Sequence, residues 1–219
     1  MGQTLTNRNN DGSLDEERFE KFLDMCIAFT FAYAIDNPGL NSLRSPMYAE
    51  MINIVNRKDV TFSEYKFDRE ILKTKINAFT FSNIKPVTRS FITWWAYQDA
   101  EQQLLQADTK FDVEHIYAKQ KNQINGLSNQ RNLESLGNKS LLERKINIRA
   151  SDYKFVDKKC YYLGFSTSSG QRKEGTAIAE LKRMAECMDS FDEKDIVERE
   201  ARIINAFMEY LKSQELLKE

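Results

Sequence analysis

The chain has 219 residues, of which 41% are hydrophobic and 30% are charged, with a formal net charge of −1. This composition is that of an ordinary globular protein, and only three prolines and eight glycines interrupt it, which favours a mainly helical fold. The three cysteines, Cys26, Cys160 and Cys187, are far apart and odd in number. Neither a disulfide framework nor a zinc site is therefore expected, and a reducing cytoplasm is the default location.

No secretory or membrane-spanning segment is expected from the sequence. The most apolar run, residues 25–35, is about half as long as the roughly 20 residues that a membrane span requires. This run is predicted to be a core helix.

The charges are unevenly distributed along the chain. Residues 119–183 contain 14 Lys and Arg against 6 Asp and Glu, a balance of +8, so the remainder carries −9. A basic region of this kind is the expected electrostatic footprint for a phosphate backbone. The alternative, dispersed and solvated charges that share no face, stays open at this point.

Four helices are predicted in the first half of the chain, over residues 13–35, 46–55, 67–77 and 87–105. Residues 1–13 are polar and form an expected disordered lead-in or the start of an excised fragment. Ser13 and Glu16 form a capping box for the first helix. Ser45 is the expected N-cap of the second helix, with Pro46 at the first helical position.

The second half of the chain has a different character. Short strands are predicted over residues 110–117 and 139–143, with a polar loop over residues 120–132 between them and a helix from residue 144. Strand, loop, strand and helix form the predicted unit. Further helices are expected over residues 155–163, 176–188 and 192–217, with a flexible, basic loop over residues 164–175.

The candidate chemistry lies in this unit. His115 is the only histidine of the chain, Glu114 directly precedes it, and Asn138 and Asn147 follow. An imidazole, with an ordinary pKa of about 6.5, can deprotonate water near neutral pH. Hard ions such as Mg²⁺ take oxygen ligands from carboxylates and amides, and Glu114 and Asn147 supply one of each. Because neighbours on a regular strand point to opposite faces, the strand must bend or end there for both to serve one site.

At these residues the sequence resembles the HNH, or ββα-metal, nuclease domain of GmrSD-type modification-dependent restriction enzymes. The segments EHIYAKQ, LGNKSLLERKIN and FVDKKCYY resemble the family pattern of EHI-P-Q, then GN-LL with a later Asn, then F-x-x-K. The resemblance covers about fifty residues closely and the flanking helices more loosely. Ala118 departs from it, since the family usually has proline there, which affects the stiffness of the loop rather than the chemistry.

The resemblance implies that His115 is the general base, with Glu114 and Asn147 as ligands of Mg²⁺ or Mn²⁺. Asn138 would brace the hairpin and orient the histidine, and Lys158 would contact phosphate. Further candidate nucleic-acid contacts are Lys159, Arg144 and Lys145. From the residues alone, Asn138 is equally a turn residue beside a glycine, and Lys158 is equally a solvated helix charge.

The expected fold class is mainly α with a small ββα-metal (HNH) hairpin and helix unit, hence α+β. A helical region over residues 14–106 would precede a nuclease unit with a C-terminal helical wrap over residues 107–219. The abrupt polar start favours the C-terminal portion of a longer effector that lacks its N-terminal regulatory domain, rather than a stand-alone nuclease.

The expected function is metal-dependent hydrolysis of DNA phosphodiester bonds in bacterial defence against foreign DNA. One alternative is a catalytically inactive helical module that binds nucleic acid or another protein. An RNA-cutting toxin would share the site chemistry.

Overall fold

The computed structural model describes residues 7–9, 11–39, 41–120 and 126–218. Within these ranges the chain forms eight helices and two small antiparallel sheets of two strands each, so the predicted mainly α, α+β class is confirmed. The helices are α1 (Glu16–Asp36), α2 (Arg44–Val55), α3 (Arg69–Ala78), α4 (Pro86–Ala96), α5 (Arg144–Ala150), α6 (Phe155–Leu163), α7 (Ala179–Cys187) and α8 (Glu193–Ser213). The strands are β1 (Phe111–His115), β2 (Lys139–Glu143), β3 (Gly164–Ser166) and β4 (Arg172–Glu174). In the part of the chain that the structure describes, no helix is long and apolar enough to cross a bilayer.

The chain divides into two compact units, residues 1–79 with 204–219 and residues 80–203. The first unit has an aromatic core around Phe29, whose ring stacks on Phe62 with centroids 3.7 Å apart. Glu50 is buried beside this core because its carboxylate accepts the backbone N–H groups of Thr61 and Phe62, at 3.2 and 2.7 Å. The second unit, called here the site-bearing unit, contains all the candidate functional residues.

Several helix boundaries differ from the predictions, among them the end of α8 at Ser213, four residues before the predicted residue 217. The N-cap of α1 is Asp15, whose side chain accepts the N–H of Arg18 at 3.1 Å, so the predicted capping box at Ser13 is wrong. Helix α2 begins at Arg44 without a side-chain cap. Helix α4 ends at residue 96 instead of the predicted residue 105. Asp99 then turns the chain, because its side chain accepts the N–H of Glu101 at 3.1 Å. Parts of the predicted lead-in and polar loop, residues 1–6, 10 and 121–125, lie outside the described residues.

Strands β1 and β2 form an antiparallel hairpin in which His115 pairs with Lys139 and Glu114 with Ser140. The predicted bounds of β2 are confirmed, and β1 covers the central five of the eight residues predicted for it. The pairing continues beyond β1, since the N–H of Ile116 donates to the carbonyl of Asn138 at 3.0 Å. Helix α5 follows β2 directly, so the predicted order of strand, strand and helix is present.

The segment predicted as a flexible loop, residues 164–175, is instead the short hairpin β3–β4. Its base is fixed on α6, because the N–H of Thr176 donates to the carbonyl of Tyr162 at 2.8 Å. Gly175 is needed for this close approach, since a Cβ there would lie 2.4 Å from the same carbonyl oxygen. A backbone hydrogen bond and a steric requirement at the base therefore order the segment.

Candidate active site

The hairpin separates its two adjacent candidate residues into different surroundings. Side chains alternate along β1, so His115 and Glu114 project from opposite faces of the strand. Only 8% of His115 and 4% of Glu114 is exposed, although both are polar. Each of the two side chains must therefore find polar partners inside the fold.

His115 lies in a cluster of charged side chains. Its Nε2 atom is 3.1 Å from Glu134 Oε1 and also contacts Lys139 Nζ. The fully buried ammonium of Lys139 donates to Glu134 Oε2 at 2.7 Å and to Asn83 Oδ1 at 2.8 Å. Lys119 approaches Glu134 Oε1 at 2.9 Å from the more exposed side. A carboxylate and an ammonium group thus meet at one nitrogen of the ring.

The pKa values of this cluster follow from burial and from these pairs. Burial, and then the charge of Lys139, lower the pKa of His115 to about 3, so the ring is neutral at pH 7. Burial also lowers the pKa of Lys139 to about 8, against the raising effect of Glu134. Burial acts to raise the pKa of Glu134, but hydrogen bonds from Lys139 and Lys119 outweigh it and hold that pKa at about 2.

The other ring nitrogen of His115, Nδ1, has different surroundings. Both of the contacts to Glu134 and Lys139 are made by Nε2, and Nδ1 has no hydrogen-bond partner among the described residues. A neutral imidazole with its hydrogen on Nε2 carries a lone pair on Nδ1. In that tautomer, Nδ1 is the ring atom that can accept a proton from a water molecule.

Glu114 occupies a second, buried cluster against α6. Its Oε1 atom accepts hydrogen bonds from Lys158 Nζ at 2.6 Å and from the hydroxyl of Tyr162 at 2.7 Å. Lys158 also donates to the backbone carbonyl of His115 at 2.7 Å. Burial, followed by the charge of Glu114, raises the pKa of Tyr162 well above its ordinary value. Oε2 of Glu114 has no hydrogen-bond partner in the described part of the chain.

The placement of Lys158 corrects its sequence-based interpretation. The residue is only 1% exposed, and its ammonium group is committed to Glu114 and to the carbonyl of His115. It therefore lies too deep to contact a phosphate, and it is not a solvated helix charge either. Its position is that of a support for the two residues at the end of β1.

Asn138 ties together the segments on either side of the hairpin. Its Oδ1 atom accepts the N–H of Tyr117 at 2.6 Å, and its Nδ2 donates to the carbonyls of Tyr117 at 3.1 Å and Leu133 at 3.0 Å. The residue is fully buried. Its side chain acts on the backbone that follows His115 and has no recorded contact with the imidazole.

Asn147 is half-buried on α5, and its recorded partner is Asp112. Its Nδ2 atom lies 3.4 Å from Asp112 Oδ2. Arg144 forms an ion pair with the same carboxylate, with its Nε and Nη2 atoms at 3.0 and 2.8 Å from Oδ1. Burial acts to raise the pKa of Asp112, but hydrogen bonds from Arg144 and Asn147 outweigh it and lower the pKa. The structure records no direct contact between Asn147 and Glu114.

Glu114 and Asn147 carry donor atoms of the type that a hard divalent cation takes, a carboxylate and an amide oxygen. Oε2 of Glu114 and Oδ1 of Asn147 are oxygens without a hydrogen bond among the described residues, while the other polar atom of each side chain is engaged. Ligating carboxylates are commonly oriented by hydrogen bonds of this kind, here from Lys158 and Tyr162. Mg²⁺ needs only one or two protein oxygens and keeps several waters. No three His, Cys, Asp or Glu side chains converge in the described ranges to offer another site.

A buried arginine, Arg199, binds the backbone of the turn that leads into β2. Arg199 of α8 is 1% exposed, and its Nη1 atom donates to the carbonyls of Leu136, Gly137 and Lys139 at 2.8–3.0 Å. Its other nitrogens pair with Glu180, at 2.9 and 2.6 Å. Arg199 thereby fixes the backbone on both sides of Asn138.

The remaining predicted nucleic-acid contacts lie nearer the surface. Lys145 is exposed on α5, and Arg144 is about half exposed while paired with Asp112. Lys159 is half-buried, with its Nζ 3.7 Å from Asp189. These three residues keep their predicted role as candidates for phosphate contacts.

Sequence reasoning missed several residues of the two clusters and of the turn beside them. They are Asn83, Lys119, Glu134, Lys139, Tyr162 and Arg199. Tyr162 could have been found, because it lies four residues after Lys158 and so shares its helix face. For Glu134, in a polar segment 19 residues after His115, no local pattern gives a signal.

The candidate site thus combines a hairpin that carries a buried histidine with a following helix that carries an amide. The family model for the C-terminal domain of GmrSD restriction endonucleases matches residues 65–206, nearly two thirds of the chain. The chain belongs to this family, and membership implies an endonuclease role in restriction. Comparisons with curated proteins and with solved structures gave no match.

Proposed function

We propose that this protein is a Mg²⁺- or Mn²⁺-dependent endonuclease of the HNH type that hydrolyses phosphodiester bonds in DNA. The observation that carries the proposal is the neutral, enclosed imidazole of His115, whose Nε2 atom is held by Glu134 and Lys139 while Nδ1 is left without a partner. Family membership supports an endonuclease. The metal dependence and the HNH type belong to the proposal.

His115 is the general base of the proposed reaction. Its Nδ1 atom takes a proton from water, the hydroxide oxygen bonds to phosphorus, and the bond from phosphorus to the 3′-oxygen breaks. The 3′-oxygen leaves with its electron pair and takes a proton from solvent, which gives a 5′-phosphate and a 3′-hydroxyl. A general base of this kind contributes roughly 10²- to 10⁴-fold to the rate.

Glu134 and Lys139 influence the tautomer and the protonation state of this base through their contacts with Nε2. The carboxylate of Glu134 favours the hydrogen on Nε2, which leaves the Nδ1 lone pair available. Burial, and then the charge of Lys139, lower the pKa of the ring and keep it neutral, and both also weaken it as a base. A phosphate that approaches the ring opposes this effect, because a nearby negative charge favours the imidazolium form.

Glu114 and Asn147 would hold the metal through Oε2 and Oδ1. When bound, the ion neutralises the charge that develops on the phosphate and on the leaving oxygen. Lys158 and Tyr162 orient Glu114 for this role through their hydrogen bonds to Oε1. Asp112 orients the amide of Asn147 in a similar way.

The proposal is tested with supercoiled plasmid in the presence of Mg²⁺ or Mn²⁺. Wild-type protein is expected to nick or linearise the plasmid, and His115→Ala is expected to be at least about 100-fold slower. Lys58→Ala is the matched control, since Lys58 is exposed and lies outside the basic region of residues 119–183. Undiminished cutting by His115→Ala would end the assignment, and cutting of RNA alone would replace DNA as the substrate.

One observation favours a second candidate, an inactive module that binds nucleic acid or a protein. The carboxylate of Glu114 is enclosed, with Lys158 already supplying a positive charge to it. Calorimetric titration with Mn²⁺ separates the candidates, because an inactive module should show no binding that depends on Glu114 and Asn147. The nuclease proposal expects binding that Glu114→Gln weakens.

A further inference from the structure

A groove at the start of β1 brings together three cationic side chains from three elements. It encloses about 410 Å³ and is lined by Arg89 of α4, by Lys110 before β1 and by Arg144 of α5. The hairpin residues Phe111 and Leu141 also contribute to its lining. No Asp or Glu is among the described residues that line it.

One described carboxylate, that of Asp112, acts on these cations: it pairs directly with Arg144 and interacts electrostatically with Arg89. One nitrogen of Arg89 donates to the backbone carbonyl of Phe111 at 2.7 Å, and its guanidinium forms no ion pair with a carboxylate of the described chain. Lys110 is exposed, and its side chain has neither a hydrogen bond nor an ion pair within the described ranges. Arg144 is paired with Asp112 but is still 52% exposed. The groove is therefore electrostatically suited to an anion.

The geometry of β1 connects this groove to the candidate active site. His115 lies four residues beyond Phe111, which is roughly 13 Å along a strand that rises about 3.3 Å per residue. One strand of duplex DNA carries a phosphate for about every 3.4 Å of helix axis. A DNA strand bound at His115 therefore places further phosphates within reach of the groove only a few nucleotides away.

We propose that this groove binds the phosphate backbone of DNA a few nucleotides from the bond that is cut, with Arg89 and Lys110 as the phosphate contacts. The inference rests on the proposed function, because it takes DNA as the substrate. Arg89 offers a planar fork for phosphate oxygens, whereas Lys110 acts as a point charge. Such contacts position the duplex and carry no sequence information themselves.

The test measures the affinity of the full chain for a fluorescent DNA duplex at several salt concentrations. His115→Ala is introduced throughout to prevent cleavage. The slope of log affinity against log salt is negative. Lys110→Gln and Arg89→Gln are each expected to reduce its magnitude by about 0.9, the value of one phosphate contact. If variant and parent bind equally at 1 M salt, this change makes the affinity of the variant about eightfold lower than that of the parent at 0.1 M salt.

Lys58→Gln in the same background is the matched control, because Lys58 is exposed, does not line the groove and lies outside the basic region of residues 119–183. It is expected to keep the parent's affinity and slope. If Arg89→Gln lowers the unfolding temperature, the groove assignment is tested by Lys110→Gln alone, since the Lys110 side chain has no partner among the described residues to lose.

The groove assignment is overturned if the parent binds the duplex and both groove variants bind it with the affinity and slope of the control. The proposed function survives that result, because plasmid cleavage is measured separately. If the parent binds an RNA duplex but not DNA, the groove assignment and the choice of DNA as substrate are both overturned.

Discussion

The guanidinium of Arg199 and the carboxylate of Glu180 form a two-point ion pair in the interior of the site-bearing unit, with distances of 2.9 and 2.6 Å. The indole N–H of Trp95 donates to the same carboxylate at 2.8 Å. Burial acts to raise the pKa of Glu180, but Arg199 outweighs it and the pKa is lowered. Because Arg199 also binds three carbonyls of the turn around Asn138, this pair links α7 and α8 to the candidate active site.

Replacement of this arginine should therefore destabilise the fold strongly. Arg199→Met leaves the carboxylate of Glu180 buried without its cation, a change that costs about 3–5 kcal/mol. Denaturant unfolding measures the loss. Lys212→Met on the same helix is the control, since Lys212 is exposed and does not act on Glu180, and its effect should stay within about 0.5 kcal/mol. Equal effects of the two variants would contradict the role assigned to Arg199.

Gly137 should tolerate no side chain, because the turn presses against the backbone of α8. A Cβ at this position would lie 2.0 Å from the carbonyl oxygen of Ile196. Gly137→Ala is expected to lower the unfolding free energy by roughly 1–3 kcal/mol, the usual range for overpacking. Gly39→Ala is the control, since its Cβ would meet only Ser42 at 3.8 Å. The same thermal midpoint for both variants would argue against this contact.

The sequence was sufficient where local pattern decides structure. Strand β2 and helix α6 have the predicted bounds, because a turn at Gly137 and the apolar spacing of residues 155–163 specify them locally. The end of α4 was missed, since the acceptor role of Asp99 overrides the continuing amphipathic pattern. Helix α4 also belongs to the site-bearing unit, whereas the sequence grouped it with the preceding helices.

The candidate site was only partly predictable from sequence for a different reason. His115, Glu114, Asn138 and Asn147 stand in a spacing that resembles a known pattern, so they could be singled out. The partners that determine their chemistry are distant in sequence, such as Lys158, which lies 44 residues after Glu114. Their burial and pairing depend on tertiary packing, and a sequence pattern does not report them.

The lowered pKa of His115 makes stability depend on pH. Its ordinary value is 6.5 and its folded value is about 3, so the folded protein binds fewer protons than the unfolded chain between these limits. This contribution to stability is complete above pH 6.5 and is lost as the pH falls, by at most about 1.4 kcal/mol per pH unit. Unfolding free energies of wild type and His115→Gln should be compared from pH 7.5 to pH 5. The wild type should lose more, and a constant difference would be inconsistent with a buried neutral ring.

The tautomer of His115 should respond in opposite directions to its two partners. The carboxylate of Glu134 accepts a hydrogen from Nε2, whereas the ammonium of Lys139 donates one to it. Because the chain has one histidine, ring nitrogen signals of ¹⁵N-labelled protein report this ring alone. Glu134→Gln should reduce the share of the form with hydrogen on Nε2, and Lys139→Met should raise it. Shifts in the same direction would refute the opposing roles.

The most direct test of the general-base assignment is chemical rescue of a histidine deletion. His115→Gly removes the base and leaves a buried cavity of imidazole size in which added imidazole can bind. We expect this variant to cleave plasmid DNA at least about 100-fold more slowly than wild type, and imidazole to restore part of the rate. Glu114→Gln should not be restored by imidazole. A His115→Gly protein that cleaves at the wild-type rate without imidazole would contradict the account.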